Sequence, residues 1–488
     1  MIGIQRPQSA LTARQAYRPR PRPPCRSLLE GLECHERETC PGFHNLELIN
    51  KRRCIFGYGC WYMARGECKW IHTREEQYLA ARTMMEKGLF DPMILKTANA
   101  KETAFGDWVG IKNVEVIASF SCLRGGEIAV PGLPPAFVRP TSRVDFDTRD
   151  MHLRKINPHS KPAEPPKFQP LAQALRFRRP DLSLVAGFQI VTTAGCLRRL
   201  TDFLYHGNNR EFDSAQRIDI EVRENTLFMG RWEGDVRNHI HTGYGKQFEY
   251  RVTSFNTFPE LKDTVSSHIA MAYEMGDLKM VVQAEIDAIC CKCHTSSKVP
   301  WENPEAFAPP QRRISGGRYD VLSLDTGNEG EEPTYGTETI TKEGTKILHV
   351  GREVDLSCCV EIKTRIEKAW SRPSSDFMTQ LYFQRASKVF LALHKNGTFQ
   401  PKDMWEWDAT NAVRKWEADN QALLARLVKL LEDIKARAMA AANRAGGQCK
   451  MALVLGKGGP AVRGGMRKNW NATLFLREDR DSMLPEDL

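Results

Sequence analysis

Apolar and polar positions alternate along the chain in a way that changes character near Asp181. Beyond that point stretches that read as strands and stretches that read as helices follow one another. SLVAGFQIVTT (183–193) predicts a buried strand and GCLRRLTDFLY (195–205) a helix. RIDIEVRENTLFMGRW (217–232) predicts a hairpin turning near Glu224-Asn225, and LKMVVQAEIDAICC (278–291) another strand. DLSCCVEIKTRIE (355–367) and SKVFLALHKNGTFQ (387–400) predict further strands, the second with Asn396-Gly397 as its turn. GGRYDVLSLDTGNEGEEPTYGTET, lying between, reads as a loop insertion. From Trp405 to about Asn443 the spacing of Val413, Trp416, Leu423, Leu427, Leu430 and Leu431 predicts one long amphipathic helix.

Before Asp181 the pattern is weaker. Glu75 to Lys87 predicts a helix, and the prolines from Pro158 to Pro180 an extended linker or strap. Residues 1–24 hold five arginines, five prolines and no acid, the composition of a disordered basic arm. Such an arm serves as a solvated tail, a nuclear-import segment or an RNA contact, and its prolines oppose the amphipathic helix of a mitochondrial transit peptide. At the other end GKGGPAVRGGMRK predicts a flexible tail. The reading therefore divides the chain into an arm (1–24), a cysteine-rich segment (25–73), a helical or irregular connector (74–139), a main domain (140–443) and a Gly-rich basic tail (444–488).

Composition narrows the classes. With 488 residues, 41% hydrophobic and 27% charged, the chain can build a large core, and no apolar run reaches the ~18 residues that a spanning helix needs. The start, MIGIQRPQSALTAR, lacks the apolar stretch of a secretory signal. A soluble protein without dependence on disulfides is expected, so the 14 cysteines call for another explanation. The net charge of +10 is compatible with nucleic acid.

Eight metal-ligand side chains form two sets in the cysteine-rich segment: Cys25, Cys34, Cys40 and His44, then Cys54, Cys60, Cys68 and His72. Three thiolates and an imidazole are what a closed tetrahedral zinc site requires, and so short a segment folds on the energy of metal binding. The pattern resembles tandem CCCH zinc fingers, which implies two zinc ions and single-stranded RNA as ligand. Phe43, Phe56, Tyr58, Trp61, Tyr62 and Trp70, interleaved with Lys51, Arg52, Arg53 and Lys69, supply stacking and phosphate contacts.

Two of the predicted strands carry charge inside apolar runs. Glu285 and Asp287 are two residues apart, as are Glu361 and Lys363. Strand period puts each pair on one face and turns Ile286 and Ile362 to the buried one. Three carboxylates and an ammonium can then converge on a hard cation such as Mg²⁺ or Mn²⁺, as in many metal-dependent nucleases. The alternative is a solvent-facing amphipathic strand. Cys290, Cys291, Cys293 and His294 are too tightly spaced for a good tetrahedron, Cys358 and Cys359 read as core, and His239 and His241 as structural. No Ser-His-Asp arrangement or Walker-type loop stands out.

Further motifs accompany these acids. GKQFE (Gly245 to Glu249), EID (Glu285 to Asp287), EIK (Glu361 to Lys363) and QLYFQRASKVFLAL from Gln380 follow in that order, behind the hairpin VRENTLFMGRW. Over roughly residues 140–435 this set resembles the DXO-like decapping exoribonuclease family. The resemblance implies that Glu249, Glu285, Asp287 and Glu361, with the Ile362 carbonyl, bind one or two divalent metals, and that Lys363 and Gln380 contact the 5′ phosphates of RNA. Two positions depart from the family. Lys246 replaces an apolar residue, and Thr193-Ala194-Gly195 stands where the family has Trp-Arg-Gly, leaving Arg198 or Arg199 a helical turn away as the substitute for the missing arginine.

The fold expected is α+β, a mixed-sheet nuclease core flanked by helices and preceded by two small zinc fingers. The function expected is metal-dependent removal of incomplete or atypical caps, or of pyrophosphate, from RNA 5′ ends in RNA quality control, followed by 5′-to-3′ degradation. The rivals are an RNA-binding adaptor whose activity was weakened with the loss of the arginine at Ala194, and a DNA-directed nuclease. A nuclear location and a 5′-to-3′ exoribonuclease partner complete the expectation, with no membrane association.

Overall fold

A computed structural model describes residues 74–95, 108–146, 166–206, 216–232, 243–255, 258–290, 337–367, 375–457, 470–478 and 482–485, with isolated residues between 25 and 72. The chain falls into two units, Met1–Ala81 and Arg82–Leu488. The helix expected near Glu75 to Lys87 is α1 (Arg74–Glu86). No helix among the described residues is long and apolar enough to cross a membrane.

In the larger unit the strands form two mixed sheets. Along the chain they are β1 (Leu89–Leu95), β2 (Ile111–Leu123), β3 (Ile128–Ala129), β4 (Ala136–Phe137), β5 (Val144–Asp145), β6 (Ile190–Thr193), β7 (Gln216–Arg223), β8 (Thr226–Arg231), β9 (Thr253–Ser254), β10 (Thr264–Met275), β11 (Leu278–Glu285), β12 (Ala288–Ile289), β13 (Glu338–Ile340), β14 (Lys346–Leu348), β15 (Cys359–Ile366), β16 (Lys388–Lys395), β17 (Thr398–Asp408), β18 (Gln448–Lys457) and β19 (Trp470–Arg477). Twelve of them pair in the order β1-β19-β18-β7-β8-β6-β11-β10-β2-β3-β14-β13, and seven in the order β5-β17-β16-β15-β12-β4-β9. The helices beyond α1 are α2 (Gln169–Arg178), α3 (Leu184–Gly187), α4 (Ala194–His206), α5 (Gly245–Arg251), α6 (Ser375–Gln384), α7 (Thr410–Asp419) and α8 (Gln421–Arg444). This is the α+β class expected.

The main core joins one face of the large sheet (Ile218, Ile220, Met280, Val282) to α4, α6 and α8 through Leu197, Phe383 and Leu427. A second cluster packs the opposite face against α2, and a third packs the small sheet against α5 through Phe248, Phe390 and Phe399. The hairpin at Glu224-Asn225 forms as expected, with Glu224 in the left-handed region at φ 49°, and Asn396-Gly397 closes the β16–β17 hairpin at φ 54° and 90°.

Several expectations are corrected. Ser183 accepts a hydrogen bond from the Ala186 backbone at 3.3 Å and so caps α3, which delays the strand expected from 183 until Ile190. Part of the proline-punctuated strap is α2, whose Pro170 occupies the first turn where a missing N–H is harmless. The long helix begins later than Trp405, because Trp405 and Trp407 belong to β17, and it is broken at Asn420, whose side chain donates to the Trp416 carbonyl at 2.7 Å. The connector is not merely helical or irregular, for it supplies β1 and the thirteen-residue β2. The tail expected to be flexible holds β18 and β19 within the large sheet. Their apolar runs, Met451 to Leu455 and Ala472 to Phe475, pair with β7, with each other and with β1.

That tail is also tied by charge. Along β7 the core residues Ile218, Ile220 and Val222 alternate with Arg217, Asp219 and Glu221 on the other face, all buried. Arg217 pairs with Asp219 at 2.6 Å and Arg477 reaches Asp219 at 3.2 Å. Glu221, 2% exposed, accepts the Ser482 hydroxyl at 2.9 Å and the Met483 N–H at 3.0 Å. A buried carboxylate with these donors is satisfied, which is the condition for keeping it in a core. Part of the loop insertion (316–336), the arm 1–24 and residues 458–469 of the tail lie outside the described residues.

Candidate active site and metal centres

The EID segment is where the chain leaves one sheet for the other. β11 ends at Glu285, opposite His268 of β10, and Ala288 already pairs with Val360 of β15 in the small sheet. The expectation that Glu285 and Asp287 share a strand face is therefore corrected: they flank a crossover, not two steps of one strand. Ile286 and Ile362 are buried, as the period-two reading requires. The crossover is pinned by the Ile286 N–H donating to the Ser267 carbonyl at 2.8 Å and by Gln384 of α6 donating to the Glu285 carbonyl at 3.2 Å.

Asp287 turns back onto β15. Its Oδ2 accepts the Ile362 N–H at 2.8 Å, which places the carboxylate beside the strand carrying Glu361 and Lys363. Glu361 is 3% exposed, and two donors meet one of its oxygens: Lys363 Nζ pairs with Oε1, and Gln380 Nε2 donates to the same Oε1 at 2.7 Å. Gln380 is presented by α6, whose Phe377 lies 5.8 Å from the Lys363 ammonium. Glu249 comes from α5, held by Phe248 against Phe399 at 4.3 Å between ring centres. Burial pushes the Glu249 carboxyl up to about 7, with Glu285 and Glu361 adding to the rise while Lys246 and Lys363 oppose it. Burial likewise holds Asp287 well above the usual carboxylate range, with Glu361 and Glu249 reinforcing it. For Lys363 burial pulls downward, but the charges of Glu361 and Asp287 outweigh it and the ammonium is stabilised.

The six side chains singled out in the sequence thus approach one region, Glu285 at its exposed margin and Glu361 within. Hard oxygen donors are what Mg²⁺ and Mn²⁺ prefer. The donor set fits such an ion. Among the described residues these acids do not bring three ligating oxygens within 4.8 Å of one another, whereas the cysteine–histidine clusters gather theirs that closely.

Of the groups behind Gln380, sequence reasoning named Arg198 as one of two substitutes for the missing arginine and did not find Asp202 or Asp376. Arg198 of α4 donates from Nη1 to Gln380 Oε1 at 3.3 Å, so it does reach the constellation. Its Nε lies 3.5 Å from Asp376 of α6, and burial, with the charge of Asp376 adding to it, pushes the Asp202 carboxyl up to about 7. The available signal was the four-residue spacing of Arg198 and Asp202, a pattern common on exposed helices. Arg199 does not join them at Gln380; burial lowers it to about 10, with Arg231 adding to the fall. Ala194 opens α4 within the main core, 6% exposed among apolar neighbours, because Thr193 takes the capping role by accepting the Cys196 N–H at 3.1 Å.

In the smaller unit the ligand atoms of Cys25, Cys34, Cys40 and His44 lie within 4.8 Å of one another, and so do those of Cys54, Cys68 and His72. Cys60 lies outside the described residues, as do Phe43, Phe56, Tyr58, Trp61, Tyr62, Lys51, Arg52, Arg53 and Lys69; Trp70 is exposed. The Cys25 thiol is held below its usual value, first by the Leu28 N–H of the short helix Arg26–Leu29. His72 sets Nε2 3.2 Å from Cys68 Sγ, with Glu76 3.4 Å from its Nδ1. The first set fits zinc in number and chemistry, and the three described ligands of the second fit it in chemistry. Cys290 is described, while Cys291, Cys293, His294, His239 and His241 are not; Cys358 and Cys359 are buried core residues.

Solved structures similar to this chain include S. pombe Rai1 in complex with 3′-FADP, 12% identical with a TM-score of 0.46, covering 80% of this chain and 99% of that one. Scheffersomyces stipitis Rai1 in complex with (3′-NADP)+ and calcium ion is 12% identical, with a TM-score of 0.48 over 80% and 98% of the two chains. K. lactis Dxo1 in complex with manganese is 7% identical, with a TM-score of 0.44 over 80% and 98%. No curated protein matches the chain. One family model, described as a domain of unknown function (DUF8563), matches residues 109–454, a span from β2 into β18 that takes in the small sheet, all of the large sheet but β1, β19 and the end of β18, and every acid of the site, and the chain belongs to that family.

Proposed function

We propose that this protein hydrolyses RNA 5′ ends with divalent-metal assistance, removing incomplete or atypical caps or pyrophosphate and then degrading 5′ to 3′, in RNA quality control. The observation that carries this reading is Glu361, buried and engaged on a single oxygen by Lys363 and Gln380 while Asp287 grips the backbone next to it. The order GKQFE, EID, EIK and Gln380 along the chain supports the same reading through its resemblance to the DXO-like family.

Glu249, Glu285, Asp287 and Glu361, with the Ile362 carbonyl, are the groups that would hold the metal. When bound, a divalent cation lowers the pKa of water and neutralises phosphate charge. The chain's own part is positional. Lys363 offers a fixed ammonium to a phosphate oxygen, and Gln380 holds the Glu361 carboxylate in orientation while presenting an amide to the 5′ end. Phosphoryl chemistry needs placement and charge neutralisation more than covalent help, which these groups can supply. The two cysteine–histidine sets, each holding zinc, would retain the RNA through exposed aromatic faces such as Trp70 and raise its local concentration.

The test incubates the purified protein and Glu285→Ala with 5′-monophosphate, triphosphate, unmethylated-cap and NAD-capped RNAs, in Mn²⁺ or EDTA. Turnover of at least one substrate in Mn²⁺ is expected, lost in EDTA and in the variant. RNA binding without turnover of any of the four would replace the enzyme with an adaptor.

A further inference from the structure

Behind Gln380, two packed helices carry an array of charge that the proposed hydrolysis does not itself use. Helices α4 and α6 lie against each other. Arg198 and Asp202 are one turn apart on α4, and Asp376 and Gln380 one turn apart on α6, so each pair faces one way. The facing groups match. Arg198 Nη1 donates to Gln380 Oε1 at 3.3 Å, and Arg198 Nε lies 3.5 Å from Asp376 Oδ1.

The consequence lies in the two ends of the Gln380 amide. One end accepts and the other donates. With Oε1 taken by the Arg198 guanidinium, Nε2 is left to face Glu361, where it donates to Oε1 at 2.7 Å. A flipped amide would set oxygen against a buried carboxylate and nitrogen against a guanidinium, two repulsive contacts at once. Lys363 pairs with that same Oε1, so neither donor takes Oε2 of Glu361. Arg198 therefore decides which Glu361 oxygen is occupied by protein and which is left for a cation.

Arg198 needs a fixed position to do this, and Asp376 supplies it.

We propose that Asp376 and Arg198 form a positioning pair that locks the Gln380 amide and thereby presents Oε2 of Glu361 to the metal. The proposal deepens the hydrolase reading and rests on it for its functional consequence; the locked amide itself does not.

Two measurements test it. In protein labelled with ¹⁵N-glutamine, the Gln380 side-chain amide is assigned by its disappearance in Gln380→Ala. It is expected to resonate apart from solvated glutamines in wild type and to collapse toward them in Asp376→Ala and Arg198→Met. Kinetically, Asp376→Ala should lower kcat/KM about tenfold through the loss of one charge-assisted contact, and should lower it no further in a Gln380→Ala background. A purely structural role would give the same loss in both backgrounds and would overturn the positioning pair, as would an unmoved amide resonance. If wild type turns over no RNA, the hydrolase reading falls by itself while the amide resonance still decides the positioning.

Discussion

Removing the charge of Glu249 should stabilise the protein, by an amount set by where the residue sits. Its carboxyl rises from an ordinary 4.5 to about 7, chiefly through burial beside Glu285 and Glu361. At low pH the group is protonated whether the chain is folded or not, and it contributes nothing. As pH climbs past 4.5 the unfolded chain ionises first, so stability declines until about pH 7 and the full penalty persists above. At 1.36 kcal/mol per pKa unit that penalty is about 3 kcal/mol. The larger unit, at about 400 residues, should unfold with roughly 0.8 kcal/mol/K of entropy, so Glu249→Gln should raise Tm by about 4 °C at pH 8 and hardly at all at pH 4. Thermal denaturation of both proteins from pH 4 to 8, without metal, measures this. Added Mn²⁺ should recover the difference in wild type, since a cation supplies what burial removed. Equal pH slopes for the two proteins would refute the reasoning, because the carboxyl would then be as well solvated folded as unfolded.

Three other perturbations have equally definite outcomes. Lys363→Met leaves Glu361 buried with one donor fewer, so chemical denaturation at pH 7 should show a loss of about 3 kcal/mol together with loss of turnover. Ala194→Arg, which the sequence alone suggests as a way to restore a missing cation, should lower stability by about 1–3 kcal/mol and bring no gain in hydrolysis, because the position is packed in the core; a rise in kcat/KM would contradict that packing. Metal analysis should find two zinc ions per chain, and Cys40→Ser should lose one of them.

The local patterns were legible in the sequence. Period two marked the strands around Glu361 and Val389, the turn chemistry of Glu224-Asn225 and Asn396-Gly397 marked two hairpins, and the cysteine and histidine spacing marked two ligand sets. These depend on a few adjacent residues, whose backbone preferences act over short range. Glu285, Asp287 and Glu361 were recognisable because charge inside an apolar strand is costly and therefore informative, whereas Glu249, on α5, was marked only by the motif resemblance.

What only the tertiary structure decided concerns distance across the chain. Strands β18 and β19 lay unnoticed because their pairing partners are β7 and β1, far away in sequence, and the Gly-rich stretch near them dominates local composition. The crossing of EID from one sheet to the other follows from pairing Ala288 with Val360, which the period of a single strand cannot express. Ala194 and Arg198 carry the same lesson at the site. A cation was missed at one position and found a turn later, because helix packing, not sequence adjacency, sets which side chain reaches Gln380.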